Sequence, residues 1–277
     1  MKWLIAPLLF FSNWYYIPLE SPSNPVEINN IDLNLKNEEV AFTFFSLSDG
    51  EASLIQQPDG KNVLINTGGE NTKDELKKLL TLYHVDQIDT IILTDTGKCC
   101  FENISWLMKD FHVKRLMSPK DTEKNINEFL YDAEAVDYRS LSKGMNHEIL
   151  PGLVMDVLND TKGLDLSISF LNRRILWMNH ASPNIDYSTP RNEAVETTII
   201  KLPDLASMEV LAEDFFEQLD PEFAILFRKK EENVNEDLLE QLQQAWVRVY
   251  YNKNVGAVSV KFTEDNYEIV KISNKKK

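Results

Sequence analysis

With 277 residues, 43% of them hydrophobic, the chain is long enough to bury one large core or two modest ones. Its formal net charge of −15 makes the surface acidic, which argues against sequence-independent nucleic-acid binding, since that depends on neutralising phosphates with Lys and Arg. Its two cysteines, Cys99 and Cys100, are adjacent, which excludes a long-range disulfide framework and a cysteine-only zinc set.

In chain order, residues 1–20, "MKWLIAPLLFFSNWYYIPLE", begin with one Lys and stay almost uncharged and apolar from Trp3 to Pro18. Pro7, Ser12 and Asn13 interrupt the run, which falls short of the roughly 20 residues of a comfortable membrane-spanning helix. A positive start before an apolar core fits a signal peptide or N-terminal anchor, so the expectation is secretion or tethering at the outer face of a membrane through residues 3–18. The alternative is a cytoplasmic chain whose first residues form a buried strand or helix. Residues 21–38, rich in Pro, Ser and Asn, read as a linker, and residues 274–277 as a basic tail.

Regular patterning over 39–273 predicts one folded domain. Strands are expected at Val40–Leu47, Ala52–Gln56 and Asn62–Ile65, the last two joined by the turn Gln57-Pro58-Asp59-Gly60. Leu76, Leu79, Leu80 and Tyr83 then recur at helical spacing. "IILTDTGKCCFENISWLM" reads as a buried strand (Thr90–Thr94) running out into a turn and then a helix (Glu102–Phe111), followed by a strand, Val113–Ser118. Further strands are predicted at Met155–Leu158, Ser167–Leu171, Arg174–Met178 and Thr197–Leu202, then a helix, Met208–Leu219, and the strand Phe223–Phe227. A helix over Asn235–Gln244 carries an apolar stripe, Leu238, Leu239, Leu242 and Trp246, expected in the core. The strands Val247–Tyr250, Gly256–Phe262 and Tyr267–Lys271 close the domain. Strands interleaved with helices imply an α/β architecture of layered sheets.

Local motifs for chemistry are sparse. No Gly-x-Ser-x-Gly elbow, Walker loop or dinucleotide fingerprint occurs. His84 ends the first helix, His112 precedes a strand and His147 falls in "KGMNHEILPG", read as a loop; all three read as surface or capping residues. Glu231-Glu232 lies in a charged loop and reads as a solvated face.

Several longer stretches together carry a resemblance: "FFSLSDGEASLIQQPDGKNVLINTGG", "IDTIILTDTGKCCFENISWLMKDFHVKRLMSP", "RRILWMNH", "TTIIKLPDLAS", "LDPEFAILF" and "VRVYYNKNVGAVSVKF". Their order resembles the metallo-β-lactamase superfamily, most closely the extracellular C-terminal domain of ComEC-type DNA-uptake channel proteins, over about residues 40–272. The resemblance implies an αββα sandwich, two mixed β-sheets flanked by helices. In the family, His and carboxylates at strand ends hold two divalent metals that activate a bridging water.

Position by position, the ligand motifs differ. Asn66 stands at the Asp of the family's first motif, Asp95 and Gly97 at the first two His of the Thr-His-x-His-x-Asp-His turn, and Cys99 and Cys100 at its Asp and last His. His180 stands at the bridging Asp, and Asp204, Leu205 and Ala206 replace the late His-His-Gly. Gly97 and Leu205 offer no ligand, and neighbouring cysteines do not readily face one ion. A rebuilt site for one zinc or manganese would have to draw on Asp95, His180 and Asp204. The scaffold turns Pro58, Gly60, Thr67-Gly68-Gly69, Ser207 and Gly256-Ala257 are kept. The expectation is a pseudoenzyme with no catalytic, cofactor-binding or metal-binding residue, acting as a binding module for a protein or small-molecule partner. The alternative is a phosphodiesterase- or nuclease-like hydrolase with a single metal.

Overall fold

A computed structural model describes residues 30–95, 97, 102–120, 136–180, 186–187, 195–203, 212, 214–227 and 236–272. Residues 1–20 and 274–277, Cys99, Cys100, Asp204, Leu205, Ala206, Ser207 and the Glu231-Glu232 pair lie outside the described residues.

The strands run in chain order as β1 (Val40–Phe44), β2 (Ser53–Gln56), β3 (Asn62–Ile65), β4 (Thr90–Ile92), β5 (Arg115–Pro119), β6 (Asp137–Leu141), β7 (Asn146–Leu150), β8 (Leu153–Asn159), β9 (Asp165–Phe170), β10 (Arg173–Trp177), β11 (Glu196–Lys201), β12 (Phe223–Leu226), β13 (Arg248–Tyr251), β14 (Ala257–Phe262) and β15 (Tyr267–Ile272). They form two sheets, ordered β15-β14-β1-β2-β3-β4-β5-β6 and β13-β12-β11-β10-β9-β8-β7. Each sheet is half antiparallel and half parallel, the parallel halves being β3 to β6 and β10 to β13. Parallel neighbours need long crossovers. Two of these contain the helices α1 (Lys73–Leu82) and α2 (Ile104–Asp110) on the first sheet, and the second sheet carries α3 (Phe215–Leu219) and α4 (Glu236–Gln244). A one-turn helix, α5 (Asn252–Val255), links β13 to β14.

Burial explains the layering. Between the sheets lie Phe42, Phe44, Ile55 and Val63 from one side and Met155, Ile168, Trp177 and Ile199 from the other, with the Phe44 and Trp177 rings stacked 6.0 Å apart. Leu76, Leu79 and Leu80 of α1 and Ile104 and Leu107 of α2 cover the outer face of the first sheet. Phe216 and Leu219 of α3 with Leu238 and Leu242 of α4 cover the second. Strands buried on both faces must read as apolar runs, which accounts for "NVLI", "TII" and "FAIL". The expected αββα sandwich is the observed one.

Local expectations change in three places. "DYRSL" and "NHEIL", to which the sequence pattern assigns no element, are β6 and β7, so His147 sits in a strand rather than a loop. Both are edge strands. Their charged and apolar residues mix because one flank faces solvent, which blurs the sequence signal. The helix expected over Met208–Leu219 is present as Phe215–Leu219; residues 208–211 are not described and Ala212 is not helical. Trp246 leaves the stripe of α4: the helix ends at Gln244, Trp246 turns to φ 57° and its side chain is 93% exposed. Within the expected linker, Ile31 N donates to Leu82 O at 2.8 Å and its side chain joins the outer apolar layer.

Candidate functional site

Ligands of sheets with parallel strands gather at the strands' carboxyl ends. Here the chain leaves β3 at Asn66, β4 at Leu93-Thr94-Asp95 and β10 at Met178-Asn179-His180, and these three exits meet. Asn66 is fully buried and sits at φ 58°, a conformation Asn tolerates better than most residues. Its Oδ1 accepts from Thr94 N at 2.9 Å and its Nδ2 donates to Thr94 Oγ1 at 2.9 Å. From the other sheet, Asn179 Nδ2 donates to the Thr94 carbonyl at 2.7 Å and to its Oγ1 at 2.8 Å. Leu164 N, at the β8–β9 turn, donates to the same carbonyl at 2.6 Å. The result is a neutral clasp, Asn66–Thr94–Asn179, that joins the two sheets.

Gly163 makes that turn fit. It lies at φ 91°, and a Cβ there would stand 2.8 Å from the Thr94 carbonyl oxygen and 3.0 Å from Asn179 Nδ2. The kept glycines after β3 are equally constrained: a Cβ on Gly69 would meet Asp49 Oδ2 at 2.0 Å, and one on Gly68 would meet Leu47 and Thr72 at 2.7 Å. Asn103, at the start of α2, ties down the same turn by donating to Thr67 O at 2.8 Å and Thr72 Oγ1 at 3.0 Å.

Beneath the clasp lie two buried ionisable groups absent from the sequence-based candidates. Asp165 is fully buried on β9. Its Oδ1 accepts from the backbone N–H groups of Asn179 and His180 at 2.7 and 3.0 Å, and its Oδ2 from Tyr187 Oη and Asn159 Nδ2 at 2.7 and 3.0 Å. Four neutral donors thus satisfy the carboxylate, and they fix the backbone at His180. Lys201, at the end of β11, is 1% exposed; its ammonium lies 2.7 Å from Glu51 Oε2, 5.3 Å from the Trp177 ring centroid and 5.6 Å from that of Phe227. It also reaches Met178 O and Asn179 Oδ1 at 3.4 Å. A lysine inside the apolar run "TTIIKLP" is the sequence signal for this pair, because a buried ammonium needs a carboxylate and aromatic faces around it. Glu51, in the polar connection between β1 and β2, gives no comparable signal.

Of the sequence-based candidates, Asn66, Asp95 and His180 converge here. Asp95 is half-buried and its Oδ1 accepts from Gly97 N at 3.1 Å, closing a local turn, while His180 is 8% exposed and anchored through its backbone to Asp165. Gly97 is half-buried beside them.

No protein-family model matches this sequence, and no curated protein is significantly similar to it. Solved structures are. The metallo-β-lactamase fold protein YhfI from Bacillus subtilis superposes with a TM-score of 0.60 at 10% identity, covering 80% of this chain and 99% of that one. The chain has the metallo-β-lactamase fold. A diphosphatase of the PhnP family superposes with a TM-score of 0.51 at 14% identity over 80% of this chain and 97% of its own. Zn2+-bound PqqB from Methylobacterium extorquens does so at 0.50 and 9%, over 76% and 97%. At such identities the likeness establishes the fold alone.

Zinc in a metallo-β-lactamase fold requires three or four ligands at about 2.0–2.3 Å. Among the described residues no group of three His, Cys, Asp or Glu side chains is arranged to hold an ion. The Asn66 amide is turned inward onto Thr94, and the Lys201 ammonium already places a positive charge against Asn179 Oδ1.

Proposed function

We propose that this chain is a non-catalytic protein of the metallo-β-lactamase fold, a binding module rather than a hydrolase. The observation that carries the reading is the Asn66–Thr94–Asn179 clasp, where neutral side chains hydrogen-bond one another at the strand ends that hold metal in the family the sequence resembles. A group whose hydrogen-bonding capacity is met inside the protein has little left for a ligand. The buried Lys201–Glu51 pair supports the same reading, since an ammonium in the cleft opposes a second cation there. Replacement of the metal-ligand motif at Asn66, Asp95, Gly97, Cys99, Cys100, His180, Asp204 and Leu205 supports it from sequence, as does the motif order for kinship with ComEC-type domains. The apolar residues 3–18 support export or tethering at the outer face of a membrane, with a protein or small molecule as the module's partner.

The test is hydrolysis of a phosphodiester such as bis-(p-nitrophenyl) phosphate by the full chain, with zinc or manganese supplied. The expected result is turnover no greater than that of the metal in buffer. Metal-dependent turnover abolished by Asp95→Ala, His180→Ala and Asp204→Ala together would assign the chain to the single-metal hydrolases instead.

A further inference from the structure

The amino ends of the same parallel strands hold a different kind of site. Lys61 precedes β3, Thr90 opens β4, Arg115 opens β5 and Asp137 opens β6; with Glu148 to Pro151 of the β7–β8 hairpin they line a basin of about 500 Å³. That volume lies within the roughly 300–1,000 Å³ of small-molecule pockets. Its walls come from both sheets, where the edge strands β6 and β7 part.

The charges are arranged unusually. Arg115 and Asp137 are cross-strand partners, and Arg139 shares the Asp137 face of β6. Arg115 Nε and Arg139 Nε both lie 3.0 Å from the same oxygen, Asp137 Oδ2. One carboxylate therefore holds two guanidiniums, each through the Nε–H alone of its five N–H donors. Among the described residues their Nη groups meet no acceptor. Lys61 and Lys114 add two ammoniums, held by Asp59 at 2.7 Å and Asp89 at 2.6 Å. His147, cross-strand partner of buried Met155, has an Nε2 that is buried without a hydrogen-bond partner. Burial, and after it the charges of Arg139 and Arg115, hold its imidazole below the ordinary histidine value.

We infer that this basin binds the phosphate group of a small phosphorylated molecule, with Arg115, which lines it, as the direct donor and Arg139, held on the same Asp137 oxygen, beside it. Paired guanidiniums match a tetrahedral oxyanion bidentately, and the ligand has to compete for them and for the two ammoniums with the carboxylates of Asp137, Asp89 and Glu148, which line the same basin. Asp137 acts as an internal counter-ion that pre-orients both arginines and competes with the ligand. The site lies at the far end of the strands from the clasp, so it stands whether or not the cleft hydrolyses anything.

The experiment is calorimetric titration of the full chain with inorganic phosphate and, separately, with glycerol 3-phosphate at low salt. Saturable binding in the millimolar range or tighter is expected, weakened about tenfold or more in Arg115→Gln/Arg139→Gln. Asp137→Asn should bind several-fold more tightly, a gain that loss of folding cannot mimic. Ligand should also raise the His147 imidazole pKa in NMR titration, because a bound dianion opposes the arginine charges. Tighter binding of the ester than of inorganic phosphate supports a phosphorylated small molecule. Equal binding supports free phosphate as the ligand of the same chemistry. Absence of saturable binding for both probes, or binding that the double variant and Asp137→Asn leave unchanged, overturns the inference.

Discussion

The two ends of the parallel strands in the first sheet solve opposite problems. At the carboxyl ends, Asn66, Thr94 and Asn179 are buried or half-buried and answer one another's donors and acceptors. At the amino ends, about 13 Å away along four residues of strand, Arg115, Arg139, Lys61 and Lys114 are partly exposed and only partly answered. Polar residues mark a site only where their bonding capacity exceeds what the protein itself supplies. By that measure the proposal makes the carboxyl end structural and the amino end the one available to ligand.

Breaking the clasp end should cost stability, beginning with its ion pair. Lys201→Ala leaves Glu51 without its counter-ion and opens a void; a loss of about 3 kcal/mol is expected, lowering Tm by roughly 10 °C. Lys201→Met with Glu51→Gln should recover most of that, because a well-packed apolar replacement is often neutral. Asn66→Ala comes next, at about 2 kcal/mol, since it leaves Thr94 N without its acceptor in the core and puts alanine at positive φ. Asn66→Gly should cost about 1 kcal/mol less, because glycine accepts that conformation; equal losses would contradict the account of the backbone. Gly163→Ala should cost about 1–2 kcal/mol by forcing the β8–β9 turn off the Thr94 carbonyl. Denaturant midpoints at constant m-value read all of these.

The smallest effect separates the ends by pH. His147 titrates below its ordinary 6.5 in the folded state, so its contribution is present above pH 6.5 and is lost as pH falls toward the folded value. Asp137, lowered first by its bond to Arg115, contributes in the same direction at lower pH: present above 3.8 and lost beneath it. His147→Gln should therefore flatten the stability profile just below pH 6.5. The cost of Asn66→Ala, which involves no titrating group, should be the same at pH 5 and pH 8. A pH-dependent cost at Asn66 would mean that the clasp is coupled to a charge.

The sandwich is legible in the sequence because its central strands are buried on both faces, and that double burial forces continuous apolar runs such as "NVLI" and "FAIL". The strands β6 and β7 are not legible, because edge strands mix charge with apolar residues; Asp137 and Arg139 acquire meaning only when pairing sets Arg115 opposite Asp137. The positions converging at the cleft, Asn66, Asp95 and His180, are legible through motif order. Their chemistry is not, because it depends on Thr94, Asn179 and Asp165, whose roles come from contacts between residues 6 to 85 positions apart. Trp246 shows the limit of periodicity: a helical stripe holds only as far as the helix, and α4 stops at Gln244.

The central claim, that the cleft is a clasp and not a metal centre, is tested most directly by elemental mass spectrometry of the full chain, purified without chelator and dialysed against trace zinc and manganese. The account predicts well under one equivalent of either metal per chain. Close to one equivalent, lost in the Asp95→Ala, His180→Ala, Asp204→Ala variant with the fold retained, would contradict it.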